Sequence, residues 1–213
     1  MKSVLVTGGT VRLGKAIAAQ LRAAGWRVIT SSHRPDAGAD IVADLSEPLG
    51  AVKLYSAALR LLGGQPPDAL VNNAALFAGE DAALAAVNLE APKKLTTLMA
   101  GRETGVGAVV NVLDCRDREG KYGETKRALR EFTRTAAVMF AETLRVNAVA
   151  PGPVLVPTAV HEKAGEMLLA HRPTPEDVGS AVSFLLSSEA TTGTVIPVDA
   201  GQSLTQDNGV AES

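Results

Sequence analysis

A single cysteine, Cys115, stands in a chain of 213 residues, so no internal disulfide can staple the fold. That scarcity suits a reducing compartment, and we expect a cytoplasmic protein. Three histidines (His33, His161 and His171) lack the spacing of metal ligands, so no metal site is expected. Aromatic residues make up only 3%, which leaves few flat side chains to grip a planar ligand. No apolar run is long enough to span a bilayer. Met1-Lys2 leads directly into "SVLVTGG" with no secretory cleavage region. The formal net charge of −2 and the absence of a basic run exclude an electrostatic footprint for nucleic acid. The expected partner is a small molecule.

What is present is 46% hydrophobic residues against 21% charged ones, the balance of a globular chain with a buried core. The length suits one domain over residues 1–213. Short β-branched runs predict strands at "SVLVT", "RVITSS", "DIVAD", "DALVNNA", "AVVNVLD", "RVNAVAP" and "TVIPVDA". Between them "LGKAIAAQLRAAG", "AVKLYSAALRLLGG", "DAALAAVNLEAPKKLTTLMAG", "YGETKRALREFTRTAAVMFAE" and "PEDVGSAVSFLLSS" read as helices. Strands apolar on both faces and joined by helices predict one Rossmann-type, doubly wound parallel sheet of about seven strands, covered by helices on both faces. Such sheets bind ligands beyond the carboxyl ends of their strands, where the strand order reverses. Polar residues at strand ends therefore carry the functional argument.

The first such corner is "VTGGTVRLG". Gly8 and Gly9 permit a tight turn, and Gly14 lets the next helix pack close to the strand. The free N–H groups and dipole of a helix start there would seat a pyrophosphate. Arg12 stands where the usual dinucleotide fingerprint has glycine. A purely structural turn is the alternative. The second strand ends in Ser31, Ser32, His33 and Arg34, with the first acid, Asp36, beyond Pro35. An acid at this strand end would suit a free ribose hydroxyl, whereas hydroxyls and a guanidinium suit a 2′-phosphate, so NADPH is expected over NADH. Asp44, after the third strand, either accepts from an adenine amino group or caps a helix beginning near Glu47.

These motifs in order resemble the short-chain dehydrogenase/reductase family over essentially the whole chain. "TGGTVRLG" resembles its glycine motif, "NNAA" at 72–75 its post-strand motif, and Asn88 its helix asparagine. "YGETK", Tyr122 to Lys126, is its Tyr-x-x-x-Lys. "RVNAVAPGPV" matches its Asn-x-x-x-Pro-Gly, and "VIPVDAGQSL" its closing strand, with Ala200 in place of a glycine. Arg12, Asp114 where most members carry serine, and "HR" after strand two resemble the pteridine-reductase branch, including bacterial dihydropterin reductases. The resemblance implies an NADPH seat of Gly8, Thr10, Arg12, Leu13, Gly14, Ser32, His33, Arg34, Asp44, Leu45, Asn73, Ala74, Ala75, Tyr122, Lys126, Pro151, Gly152 and Val154. Its helix with "EFTRTAAVMF" implies a homodimer or homotetramer. Only seven residues separate Asp114 from Tyr122, and the substrate segment near 152–175 and the loop from Asn73 to Asn88 are short. That trimming affects the substrate pocket more than the cofactor seats.

Four residues carry the expected chemistry: Asn88, Asp114, Tyr122 and Lys126. Lys126 shares a helix face with Tyr122, and its ammonium would lower a phenol pKa of about 10. The resemblance implies that Lys126 also holds the nicotinamide ribose and that Asn88 holds a water relay. Asp114, made neutral beside a polyanionic cofactor, would donate a proton to a ring nitrogen, which suits reduction of a C=N bond. Arg12, Phe77, Asp114 and Tyr122 would meet the substrate, a dihydropterin-like compound. The alternatives are a reductase of a small ketone or other carbonyl and a nonenzymatic NADP(H)-binding sensor.

Overall fold

The computed structural model describes residues 1–103, 105–116, 119–155 and 167–206; the middle of the predicted substrate segment lies outside them. Seven parallel strands form one sheet in the order β3-β2-β1-β4-β5-β6-β7. They are β1 (Ser3–Thr7), β2 (Arg27–Ser32), β3 (Ile41–Val42), β4 (Ala69–Asn72), β5 (Gly107–Val112), β6 (Leu144–Pro151) and β7 (Val195–Val198). The order reverses between β1 and β4, so the cleft opens beyond Thr7 and Asn72.

The helices are α1 (Arg12–Ala23), α2 (Gly50–Leu61), α3 (Asp81–Ala85), α4 (Ala91–Ala100), α5 (Gly120–Met139), α6 (Pro175–Ser187) and α7 (Gln202–Gln206). Alternation along the strands sorts the core into two layers. Leu5, Leu70, Val109 and Val146 meet Leu54, Leu95, Met99 and Ala136 of α2, α4 and α5. Val4, Val6, Val71 and Val110 meet Ile17, Leu21, Val178 and Val182 of α1 and α6. Trp26 packs on the second layer. Helix α6 begins at a capping box, Thr174 with Asp177, and Pro175 in its first turn. Its last carbonyls, Leu185 and Leu186, accept from Arg145 at 2.8 and 2.9 Å.

Two elements depart from the sequence reading. The third strand keeps only Ile41–Val42 because the residues on each side turn to other work. Asp40 accepts from Thr30 N and Oγ1, and Asp44 folds onto Ser46. The helix expected over 81–101 is interrupted by a wider, π-type turn at Ala86–Glu90. At its centre Asn88 is fully buried and bonds to the backbone of Leu76 in both directions. A turn of this kind loosens the main-chain ladder and is often found at functional positions.

Buried asparagines also tie strand to strand. Asn147 on β6 donates to Thr191 O at 2.8 Å and accepts from Thr194 N at 3.1 Å, which fixes the chain entering β7. Because Asn147 is 1% exposed, Asn147→Ala leaves Thr194 N unpaired and removes the shorter of two donors from Thr191 O, which keeps Arg145 Nη1 at 3.3 Å. We expect a loss of about 2–3 kcal/mol in urea unfolding; a loss under about 0.5 kcal/mol would show that the tie contributes little.

Candidate active site

Beyond β1 the chain turns at Gly8, whose φ of 62° is left-handed. A Cβ at Gly14 would overlap the Gly8 carbonyl oxygen, so only glycine lets α1 start this close to the strand. Asn73, after β4, locks the corner: its Nδ2 donates to Thr7 O at 2.9 Å and Gly8 O at 3.2 Å. Thr7 Oγ1 accepts from the amides of Asn73 and Ala74, each at 3.0 Å. Thr10 Oγ1 is buried in the turn with no hydrogen-bond partner among the described residues. A compact glycine cradle, a helix start and an orphaned hydroxyl fit a pyrophosphate. Leu13 packs on the core beneath, and Arg12 is exposed with φ of 49°. Holding arginine in that left-handed region costs on the order of 1 kcal/mol or more.

The second strand end is less simple than its composition suggests. Ser32 Oγ accepts from Arg34 N at 3.0 Å. Arg34 forms a forked pair with Asp36, at 3.3 and 3.0 Å, and hydrogen bonding to the guanidinium holds the Asp36 carboxyl below its ordinary range. Both side chains are mostly exposed, so the pair is weak and a doubly charged phosphate can displace Asp36. His33 lies on the exposed rim.

For Asp44, the capping alternative is overturned, since α2 begins at Gly50 and lacks a side-chain cap. Asp44 Oδ1 instead accepts from Ser46 N at 2.8 Å and Ser46 Oγ at 2.6 Å. Those bonds hold its carboxyl below the usual carboxylate range. Leu45 beside it is buried in the core.

At the end of β5 the structure brings Asp114, Tyr122 and Lys126 together. Tyr122 OH donates to Asp114 Oδ2 at 3.2 Å, and Phe77 stacks on the Tyr122 ring with centroids 5.1 Å apart. Phe77 itself is 67% exposed, so an aromatic face stands at the mouth of the site. Lys126 Nζ donates to Val112 O at 2.8 Å and lies 5.8 Å from the Tyr122 ring centre. Burial pushes the Lys126 ammonium down to about 8, against the opposing pull of Asp114.

Neighbours engage two of the expected catalytic groups. The Asn88 carboxamide bonds Leu76 N and O, both at 2.8 Å, which pins the loop after β4, and its Nδ2 also donates to Thr125 Oγ1 at 3.4 Å, one residue before Lys126. Asp114, expected as a proton donor, accepts from Arg116 N at 3.0 Å and sits 3.6 Å from Arg116 Nε. The sequence reading missed Arg116 and Arg130, whose Nη2 donates to Asp114 O at 3.4 Å. The signal for Arg116 lay in the short segment itself: a cation two residues after a strand-end acid can fold back onto it.

The remaining predicted residues line the rim. Pro151 ends β6, Gly152 N donates to Val198 O, and Val154 N donates to Gly152 O. A Cβ at Gly152 would press on Asp199 Cα at 2.8 Å. Ala200 adopts φ of 55° where relatives were expected to carry glycine. Ala75 is half-buried beside Ala74. Cys115 Sγ donates to Gln202 Oε1 at 3.5 Å, a structural contact. Among the described residues no His, Cys, Asp and Glu group could hold a metal, and no helix is long and apolar enough to cross a membrane.

Comparison with known proteins extends this geometry. A family model described as Enoyl-(Acyl carrier protein) reductase matches residues 65–203. Pteridine reductase 1 of Leishmania tarentolae is 31% identical, with 95% of this chain and 96% of that protein covered. L-xylulose reductase of Bos taurus is 33% identical, covering 94% and 96%. The structure of FolM Alternative dihydrofolate reductase 1 from Brucella canis complexed with NADP superposes with a TM-score of 0.86 at 30% identity. It covers 100% of this chain and 98% of that one.

Lys126 makes stability depend on pH with a definite sign. Its folded value of about 8 lies below the ordinary lysine value. From pH 8 toward roughly 10.4 the unfolded chain therefore binds more protons, and stability rises with pH. Below pH 8 the burial cost is present in full. The unfolding free energy of the wild type relative to Lys126→Met should rise across that window. A flat difference would show that Lys126 titrates at its ordinary value.

Proposed function

This chain belongs to the short-chain dehydrogenase/reductase family, and on that premise we propose that it is an NADPH-dependent reductase of a dihydropterin-like C=N compound. The observation that carries the substrate class is Asp114, bonded to Tyr122 OH at 3.2 Å where most family members were expected to have serine. Pteridine reductase 1 and the FolM reductase, each about a third identical to this chain, support the same class.

When bound, NADPH supplies a hydride to the carbon of the C=N bond. The chain supplies the matching proton, so that the bond becomes CH–NH. That proton sits on the Tyr122 oxygen in the ligand-free protein and is shared with Asp114 Oδ2. Lys126 sets a positive charge near the phenol and stabilises its anion once the proton has left. Phe77 gives a flat ring an aromatic face to stack on. Arg12, whose φ of 49° lifts it at the cofactor turn, orients the ring and meets the phosphates. Arg34 and Ser32 hold the 2′-phosphate, with Asp44, Leu45, Ala75, Gly152 and Val154 closing the seat.

We further assign the chain one domain over 1–213, a cytoplasmic setting, and a homodimer or homotetramer. Val138 and Met139, exposed at 81% and 64% near the end of α5, support the assembly.

The test is NADPH oxidation with a 7,8-dihydropterin and a panel of small ketones. Asp114→Asn and Tyr122→Phe should keep NADPH affinity within about threefold and lose roughly a hundredfold or more in turnover. Loss of NADPH binding would overturn the roles given to these residues. Turnover with ketones alone would keep the reductase and discard the dihydropterin.

Arg12→Gly separates strain from function. It should stabilise the fold by up to about 1 kcal/mol while raising the KM for NADPH or dihydropterin. Unchanged KM values would return Arg12 to a structural turn.

A further inference from the structure

We propose that Arg116 is the positioning residue for Asp114, fixing which carboxylate oxygen meets Tyr122 and balancing the charge held there. The proposal rests on the reading above that Asp114 and Tyr122 act as a pair. Its basis is how the two carboxylate oxygens are divided. Oδ1 is engaged twice by one residue, through Arg116 N at 3.0 Å and Arg116 Nε at 3.6 Å. That leaves Oδ2 to accept from Tyr122 OH at 3.2 Å. The two side chains of the ion pair are only 18% and 9% exposed, so solvent screens it little.

The charged and titratable groups set around Asp114 among the described residues are few. Its own loop supplies Arg116, and α5 supplies Tyr122, Lys126 and Arg130. Arg130 reaches the main-chain oxygen of Asp114, and Lys126 ends on Val112 O. Arg116 faces the carboxylate itself, its Nε 3.6 Å from Oδ1 in an ion-pair contact. Without the guanidinium, Asp114 would face the phenol with less positive charge beside it, and the phenolate would cost more to form.

The chain has two tyrosines, so in a Tyr55→Phe background tyrosinate absorbance follows Tyr122 alone. In that background Arg116→Gln should move the titration to higher pH, with no substrate or cofactor needed. Arg116→Lys, which keeps the charge and changes the shape of the group that carries it, should restore most of the shift. In turnover assays Arg116→Gln should lower kcat roughly tenfold or more, with the NADPH Kd within about twofold. Arg116→Lys should recover part of kcat. An unmoved titration in Arg116→Gln would overturn the proposal. So would an NADPH affinity that falls in step with kcat, since that would place Arg116 in the cofactor seat. A wild type inert toward dihydropterin would sink the substrate reading alone, because the titration is read without it.

Discussion

The absence of a side chain at Gly14 is the constraint on which the rest of the site depends. A Cβ there would strike the Gly8 carbonyl oxygen and Asn73 Nδ2, and α1 would have to lift off the sheet. Because it does not, the start of α1, the turn after β1 and the end of β4 close into one knot, held by Asn73 and Thr7. The knot lies at the switch point of the sheet. It aims free amides and the helix dipole at the place where a pyrophosphate would lie. Arg12 pays for its seat there with backbone strain, at a position that glycine would occupy without cost.

Next to this rigid corner the chemistry is one of crowded charge. The Asp114 carboxylate is met by the guanidinium of Arg116, by a phenol and by the field of a buried lysine, while Arg130 reaches its main-chain oxygen. Burial drives Lys126 toward its neutral form while Asp114 pulls it back. A bound polyanion would add to the pull toward a protonated lysine. The same logic governs the far end of the cleft. There Arg34 rests on Asp36 in an exposed pair weak enough to be exchanged for phosphate.

The fold was legible to a good depth. Strands such as "SVLVT" and "AVVNVLD" are apolar on both faces, which only a sheet covered on both sides rewards. The glycines and asparagines fell at strand ends. The misses have local causes. The third strand shrank because Asp40 and Asp44 spend their oxygens on Thr30 and Ser46. The helix at 81–101 opened at Asn88, where a buried carboxamide bonds the Leu76 backbone and Thr125. Propensity cannot foresee either, since each depends on a partner brought near by the fold.

By itself the sequence determined the layered sheet, the glycine corner, and the residue types gathered at the strand ends, because these follow from periodicity and from backbone freedom. It also put Tyr122 and Lys126 on one helix face. Tertiary structure decided how those residues are spent. It tied the Asn88 carboxamide to Leu76 and Thr125, paired Arg34 with Asp36, and laid Phe77 on Tyr122. It also set Arg116 against Asp114. The reason is physical: ionisation and hydrogen bonding are set by neighbours within a few ångströms. Which residues become neighbours is settled only when the chain has closed.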